Sequence, residues 1–173
     1  MTTSCTLLLL RHGKSDWHAG AANDFSRPLS ARGLRDSPRM GNWLAEHELL
    51  PARIICSPAV RANETALLAC NGAGISTGCI FHDERLYQAD LEDLLAVISD
   101  TPNIPGPLML VGHNPGLENL LLYLAGDTGA HMARKKILPT ATLAHLHIPG
   151  DTQQLVPGSA RLLELVRPHD LPG

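Results

Sequence analysis

The sequence predicts a three-layer α/β/α sandwich built on a mostly parallel sheet. Three observations point there. Short apolar runs alternate with helix-patterned segments along most of the chain. Two of those runs, 7–10 (all leucine) and 108–111, are apolar at every position, as strands buried on both faces are. Both stop abruptly in polar residues and glycine, Arg11-His12-Gly13 and Gly112-His113-Asn114.

Residues 5–10 read as the first buried strand. The stretch 14–29 is a polar loop with Gly20, Asn23, Asp24 and Pro28. Ser30 suits the N-cap of a helix running to about Glu48, with Leu34, Met40, Trp43, Leu44 and His47 on its inner side. Pro38 falls inside it, and an interior proline costs ~3 kcal/mol, so a kink or a restart at Asp36 or Ser37 is expected. Residues 53–56 are a second short strand. Ser57-Pro58 then reads as N-cap and first helical position, of a helix continuing through Cys70 until Asn71-Gly72 stops it. A weak strand at 78–81 precedes an amphipathic helix at 89–99, where Leu91, Leu94, Leu95 and Ile98 keep the i, i+3, i+4, i+7 spacing. A proline-rich turn at 102–107 leads into strand 108–111. Asn114-Pro115 repeats the cap-then-proline signal for a helix that Gly126 ends. Alternation at 142–148 and 161–166 gives two last strands. No repeat or linker divides the chain, so residues 1–173 are read as one domain.

The bulk properties exclude several functions. The chain has 173 residues, 44 % of them hydrophobic and 18 % charged, with a formal charge of −3. Nothing favours nucleic acid or an anionic membrane. No stretch nears the ~20 apolar residues of a membrane span, and the leucine run at 7–10 is too short for a secretory signal. Cys5, Cys56, Cys70 and Cys79 form no CxxC pair, so a reducing cytoplasm is the expected compartment.

Ligands of open α/β sheets collect at the carboxyl ends of the strands. Three segments deliver polar residues to that edge: Arg11 and His12, then Ser57 and Arg61, then His113 and Asn114. Helix starts after the second and third segments would favour an anion. Arginine forks suit phosphate oxygens, and Gly13 and Gly112 would let the backbone come close. Singly, each has an ordinary structural reading. His12 alone is more often a satisfied core histidine, and Arg61 alone a solvated helix residue. Their joint placement favours a phosphate pocket containing Arg11, His12, Arg61 and His113, with Gly13, Ser57 and Asn114 as further lining candidates.

Leu-Arg-His-Gly at 10–13, Ser-Pro-x-x-Arg-Ala-x-Glu-Thr-Ala at 57–66 and Val-Gly-His-Asn-Pro at 111–115 resemble the histidine phosphatase superfamily, whose fold is phosphoglycerate mutase-like. Arg27-Pro28-Leu29-Ser30-x-x-Gly33 matches its small branch, which resembles the phosphohistidine phosphatase SixA. The resemblance implies a metal-independent, cofactor-free phosphatase with His12 as nucleophile, forming a transient phosphohistidine. Arg11, Arg61 and His113 would bind the phosphoryl oxygens; His113 would serve best protonated, which the two nearby arginines oppose and the phosphate dianion must compensate. The general acid of larger relatives has no clear counterpart. Glu84 is the candidate by position, but 83–88 lacks the acid motif, which favours P–N over P–O substrates.

Larger relatives carry a helical lid, and 61–113 leaves no room for one. An open site would admit a phosphorylated protein, with Lys14, Ser15, Asp16 and Trp17 at its entrance. The alternatives are a phosphatase of small phosphoesters such as sugar phosphates, and a non-catalytic phosphate-binding domain of the same fold. A cysteine phosphatase fits poorly, because Cys56 and Arg61 are one residue too close. His145-x-His147 lacks the acidic partners a zinc hydrolase needs. The oligomeric state is not legible in the sequence.

Overall fold

The computed structural model describes residues 4–102, 105–126, 137–150, 152 and 155–172. Its elements run β1 (Cys5–Arg11), α1 (Ala31–Glu46), β2 (Arg53–Cys56), α2 (Val60–Ala73), β3 (Ile80–His82), α3 (Leu91–Asp100), β4 (Leu108–Gly112), α4 (Gly116–Ala125), β5 (Leu143–Ile148) and β6 (Arg161–Val166). They form one six-stranded sheet in the order β3-β2-β4-β1-β5-β6. The first four of these strands are parallel, and β5 and β6 add an antiparallel flank. The α/β class and the mixed, largely parallel sheet agree with the sequence.

The leucine run explains the layers. Side chains alternate along a strand, so Leu7 and Leu9 join the apolar layer formed with α3 and α4. Leu8 and Leu10 join the layer formed with α1 and α2. All four are fully buried. Truncating one to alanine costs ~2–5 kcal/mol. Parallel pairing also sets the site. Arg11 lies opposite Gly112 and Cys56 opposite Val111, so the residues that follow each strand emerge at one edge.

Several local expectations are corrected. Helix α1 runs through Pro38 without interruption, capped by Ser30, which accepts from the Gly33 N–H. Leu34 is half exposed rather than inward, and exposed His47 is the C-cap, its ring stacked on Trp43. Helix α2 is capped by Ala59, not Ser57, and does not stop at Asn71-Gly72. Gly74, at φ +68°, ends it in the left-handed region, where glycine is unstrained. Gly72 has another role, shared with Gly41. A Cβ on either would lie 2.0 Å from a carbonyl oxygen of the opposite helix, Pro38 O or Ala69 O. These two glycines let α1 and α2 approach closely. Helix α4 has Pro115 as N-cap, not Asn114. The weak third strand is shifted to Ile80–His82, behind a 3-10 turn at Thr77–Cys79.

Candidate active site

The ends of β1 and β4 and Arg61 of α2 meet the 14–29 loop in an open cleft of about 700 Å³. Arg11, His12, Arg61 and His113 all line it. The His12 and His113 rings face each other with centroids 4.9 Å apart.

His12 is held on two sides. Its backbone N–H donates to Gly112 O at 3.0 Å, and its Nδ1 lies 2.7 Å from the Gly13 carbonyl. A carbonyl only accepts, so Nδ1 carries the proton and Nε2 keeps its lone pair. Burial pushes the ring's pKa down to about 3. The Gly13 carbonyl opposes this, and the charges of His113, Arg61 and Arg11 add to it. Gly13 itself is buried. Its N–H donates to Thr65 Oγ1 (2.9 Å), and Thr65 in turn donates to the Arg61 carbonyl (2.6 Å). This chain of bonds ties the strand end to α2.

His113 is pushed down to about 4, by burial first and then by Arg61, against the pull of Asp24. It is therefore neutral near pH 7 in the free protein, the direction in which the neighbouring arginines were expected to act. Its Nε2 lies 2.8 Å from Ser57 Oγ. Arg11 is aimed by the Leu138 carbonyl, which accepts from its Nη1 at 2.8 Å and from Asn114 Nδ2 at 2.9 Å. The Leu138 N–H is held in turn by Glu118 Oε1 at 2.9 Å.

Two of the lining candidates, Ser57 and Gly13, and the acid candidate Glu84 are corrected. Ser57 is fully buried under His113 and does not line the cleft. Gly13 packs against α1, where a Cβ would meet Ser37 Oγ at 2.9 Å. Glu84 sits exposed in a 3-10 turn outside the cleft. Asn114 does line it. Of the entrance residues, Lys14, Ser15 and Trp17 line the cleft, whereas Asp16 turns back to accept from the His18 N–H. Only one of the two expected helix starts opens on the cleft. The α2 start is covered by the loop, with Val60 N–H donating to Phe25 O, while Gly116 at the α4 start lines the cleft.

Sequence reasoning missed Asp24, Arg27 and Tyr87. Asp24 accepts from Arg27 Nη2 (2.6 Å), Arg61 Nη2 (2.9 Å) and the Tyr87 hydroxyl (3.0 Å), and its backbone carbonyl takes Arg61 Nη1 (2.6 Å). Partial burial raises its carboxyl, but the bonds from Arg27, Tyr87 and Arg61 outweigh that and hold it at about 2. Arg27 is a third guanidinium in the cleft. It is pinned by Ser15 and Asp24 and covers one face of exposed Trp17 at 3.6 Å. The Arg27-Pro28-Leu29 motif was the available signal. Glu64 anchors the same loop by accepting from the Leu29 N–H at 2.7 Å. Cys56 is buried, and burial raises its thiol to about 12, which disfavours a cysteine nucleophile.

Three guanidiniums around two facing imidazoles at the carboxyl edge of a sheet define an α/β protein with a site for a tetrahedral oxyanion. The profile of the histidine phosphatase superfamily (branch 1) matches residues 7–94, and the chain belongs to that superfamily. An uncharacterized protein of Mycobacterium tuberculosis is 33 % identical over 160 residues, covering 89 % of this chain and 96 % of the relative. Two solved structures provisionally named phosphohistidine phosphatase SixA are similar over nearly their whole length. The one from Agrobacterium tumefaciens has a TM-score of 0.78 at 29 % identity, covering 98 % of this chain and 99 % of that one. The one from Nakamurella multipartitia has a TM-score of 0.79 at 25 % identity, covering 96 % and 97 %. The chain falls in this SixA-like branch. A mycobacterial glucosyl-3-phosphoglycerate phosphatase shares the fold at a TM-score of 0.61 and 17 % identity, covering 93 % of this chain and 98 % of that one. Superfamily membership implies phosphatase or mutase chemistry. Among the described residues, no helix is long and apolar enough to cross a membrane.

Proposed function

We propose that this protein is a metal-independent phosphatase that removes phosphoryl groups from phosphohistidine in proteins, through a phosphohistidine formed on its own His12. The observation that carries the reading is the placement of His12 in the cleft with Nδ1 bound to Gly13 O, which leaves the Nε2 lone pair to attack. Nε2 forms a bond to phosphorus while the P–N bond of the substrate breaks. Arg11, Arg61 and His113 stabilise the charge spread over the phosphoryl oxygens. The His12 ring gains positive charge as it is phosphorylated, and the Gly13 carbonyl on Nδ1–H stabilises that charge. Water then attacks phosphorus, releases orthophosphate and restores the neutral ring.

The carboxylates support a P–N substrate. Asp24 is committed to Arg27, Arg61 and Tyr87. Asp90, also at the cleft, caps α3 by accepting from the Asp93 N–H. Neither is free to protonate an alcohol leaving group. A phosphoimidazole already protonated on its other nitrogen departs as neutral imidazole and needs no such acid. The cleft opens beside Trp17, which is 69 % exposed, and between Arg61 and His113 the described residues supply only the rest of α2, β3, two 3-10 turns, α3 and β4. That openness suits a protein-borne substrate, and the absence of a CxxC pair suits the cytoplasm.

The test is turnover of a phosphohistidine-labelled carrier protein beside a panel of sugar phosphates and aryl phosphates, with acid quench. Preferred turnover of the carrier, with acid-labile, base-stable label on His12, is the expected result. Preferred turnover of a sugar phosphate would replace the substrate. Absence of label at residue 12 would end the mechanism.

A further inference from the structure

We propose that Ser57 is a positioning residue that fixes the tautomer of His113, so that His113 presents an N–H, not a lone pair, to the bound phosphoryl group. This deepens the phosphatase reading above and rests on it for its consequence in catalysis. The tautomer itself follows from hydrogen-bond accounting.

Ser57 is completely buried, with no exposure to solvent. Its hydroxyl has two neighbours among the described residues. The Ala59 N–H donates to Oγ at 3.3 Å, and His113 Nε2 lies 2.8 Å away. A serine hydroxyl has one proton to give and lone pairs to receive. The amide takes a lone pair. The proton has one acceptor in reach, the Nε2 of His113, and a buried hydroxyl left without an acceptor costs ~1–3 kcal/mol. Ser57 therefore donates to Nε2. A neutral imidazole that accepts at Nε2 carries its proton on Nδ1.

The two facing rings are thus the same tautomer used in opposite senses. His12 turns its Nδ1–H to a backbone carbonyl and offers Nε2 as a nucleophile. His113 has its Nε2 occupied by Ser57 and keeps Nδ1–H for an oxygen of the substrate. The carbonyl and the hydroxyl, supplied by the ends of two different strands, separate the roles of the rings. A doubly protonated His113 would direct an N–H at Ser57 and strand the serine proton, so Ser57 also opposes the imidazolium form. Ser57 acts only through His113, because it does not reach the cleft.

Ring nitrogen NMR of the 15N-histidine-labelled protein at pH 7.5 reads the tautomer directly, with no substrate present. The expected wild-type spectrum has His113 Nδ1 protonated and Nε2 unprotonated. Ser57→Ala should shift His113 toward the Nε2–H form and lower kcat by on the order of 10²-fold, the scale for loss of one oxyanion donor. Ser57→Thr, which restores the hydroxyl, should recover the wild-type tautomer and part of the rate. A wild-type His113 protonated at Nε2 overturns the proposal whether or not Ser57→Ala folds. So does a folded Ser57→Ala with unchanged tautomer and rate. If no phosphorylated substrate is turned over while the spectrum is as expected, the phosphatase reading fails and the tautomer assignment stands.

Discussion

Lowering the pH from 7.5 to 5 should destabilise this fold by about 4 kcal/mol through two buried rings alone. In the folded chain His12 takes a proton only at about 3 and His113 at about 4. In the unfolded chain each does so near 6.5. At pH 5 the folded rings are still neutral, while their unfolded counterparts are almost all charged. The proton therefore stabilises the unfolded state. Stability begins to fall as the pH drops through 6.5 and keeps falling until the folded rings titrate near 4 and 3. At ~1.36 kcal/mol for each pH unit below 6.5, each ring accounts for about 2 kcal/mol at pH 5. Urea titrations at the two pH values measure the difference. His12→Ala and His113→Ala should each retain about half of the loss, and the double variant little of it. His145, also lowered by burial, supplies a residual in the same direction, and Asp24, at about 2, does not titrate in this window. Equal wild-type stability at both pH values would refute the reasoning, as would an undiminished loss in the double variant.

Three other outcomes are expected. His12→Ala should abolish turnover and phosphoenzyme label, while replacing Arg11, Arg61 or His113 by alanine should cost ~10²–10³ in kcat; rapid-quench assays distinguish these from wild type. Asp24→Asn should lower kcat by about 10-fold, because Arg61 and Arg27 lose their shared anchor, yet leave orthophosphate binding as tight or tighter, since a negative charge has left a cationic pocket; calorimetric titration with orthophosphate beside steady-state kinetics checks both. Gly41→Ala should destabilise by about 1–3 kcal/mol, as its methyl group meets the Ala69 carbonyl, and should lower the melting temperature with kcat unchanged.

The legible part of this protein was what chain-local physics controls. A leucine run buried on both sides had to be a central strand, and parallel pairing then brought Arg11, His12 and His113 together. Ser57 was misread because a serine before a proline carries the local signature of a cap, while its actual partner lies 56 positions away. Asp24 looked like one polar residue in a polar loop, since its bond to Arg61 spans 37 positions and to Tyr87 spans 63. Pro38 and Gly72 were read as helix breakers. They sit at the close contact of α1 with α2, where tertiary packing outweighs propensity. Glu84 was chosen by its place in the chain alone, and nothing local could say which way that turn would face.

The peptide unit at Leu138 is a keystone contributed from beyond the last recognised motif, at 111–115, which itself lies outside the profile match that ends at residue 94. Its oxygen seats the guanidinium of Arg11 across 127 positions, and its amide is moored to α4. A chimera joining the motif-bearing part of this chain to another relative's tail would inherit every signature residue yet leave that arginine unaimed, unless the graft also supplied a carbonyl at the same spot. Recombination points for building hybrids therefore belong after residue 141, not directly after the last motif.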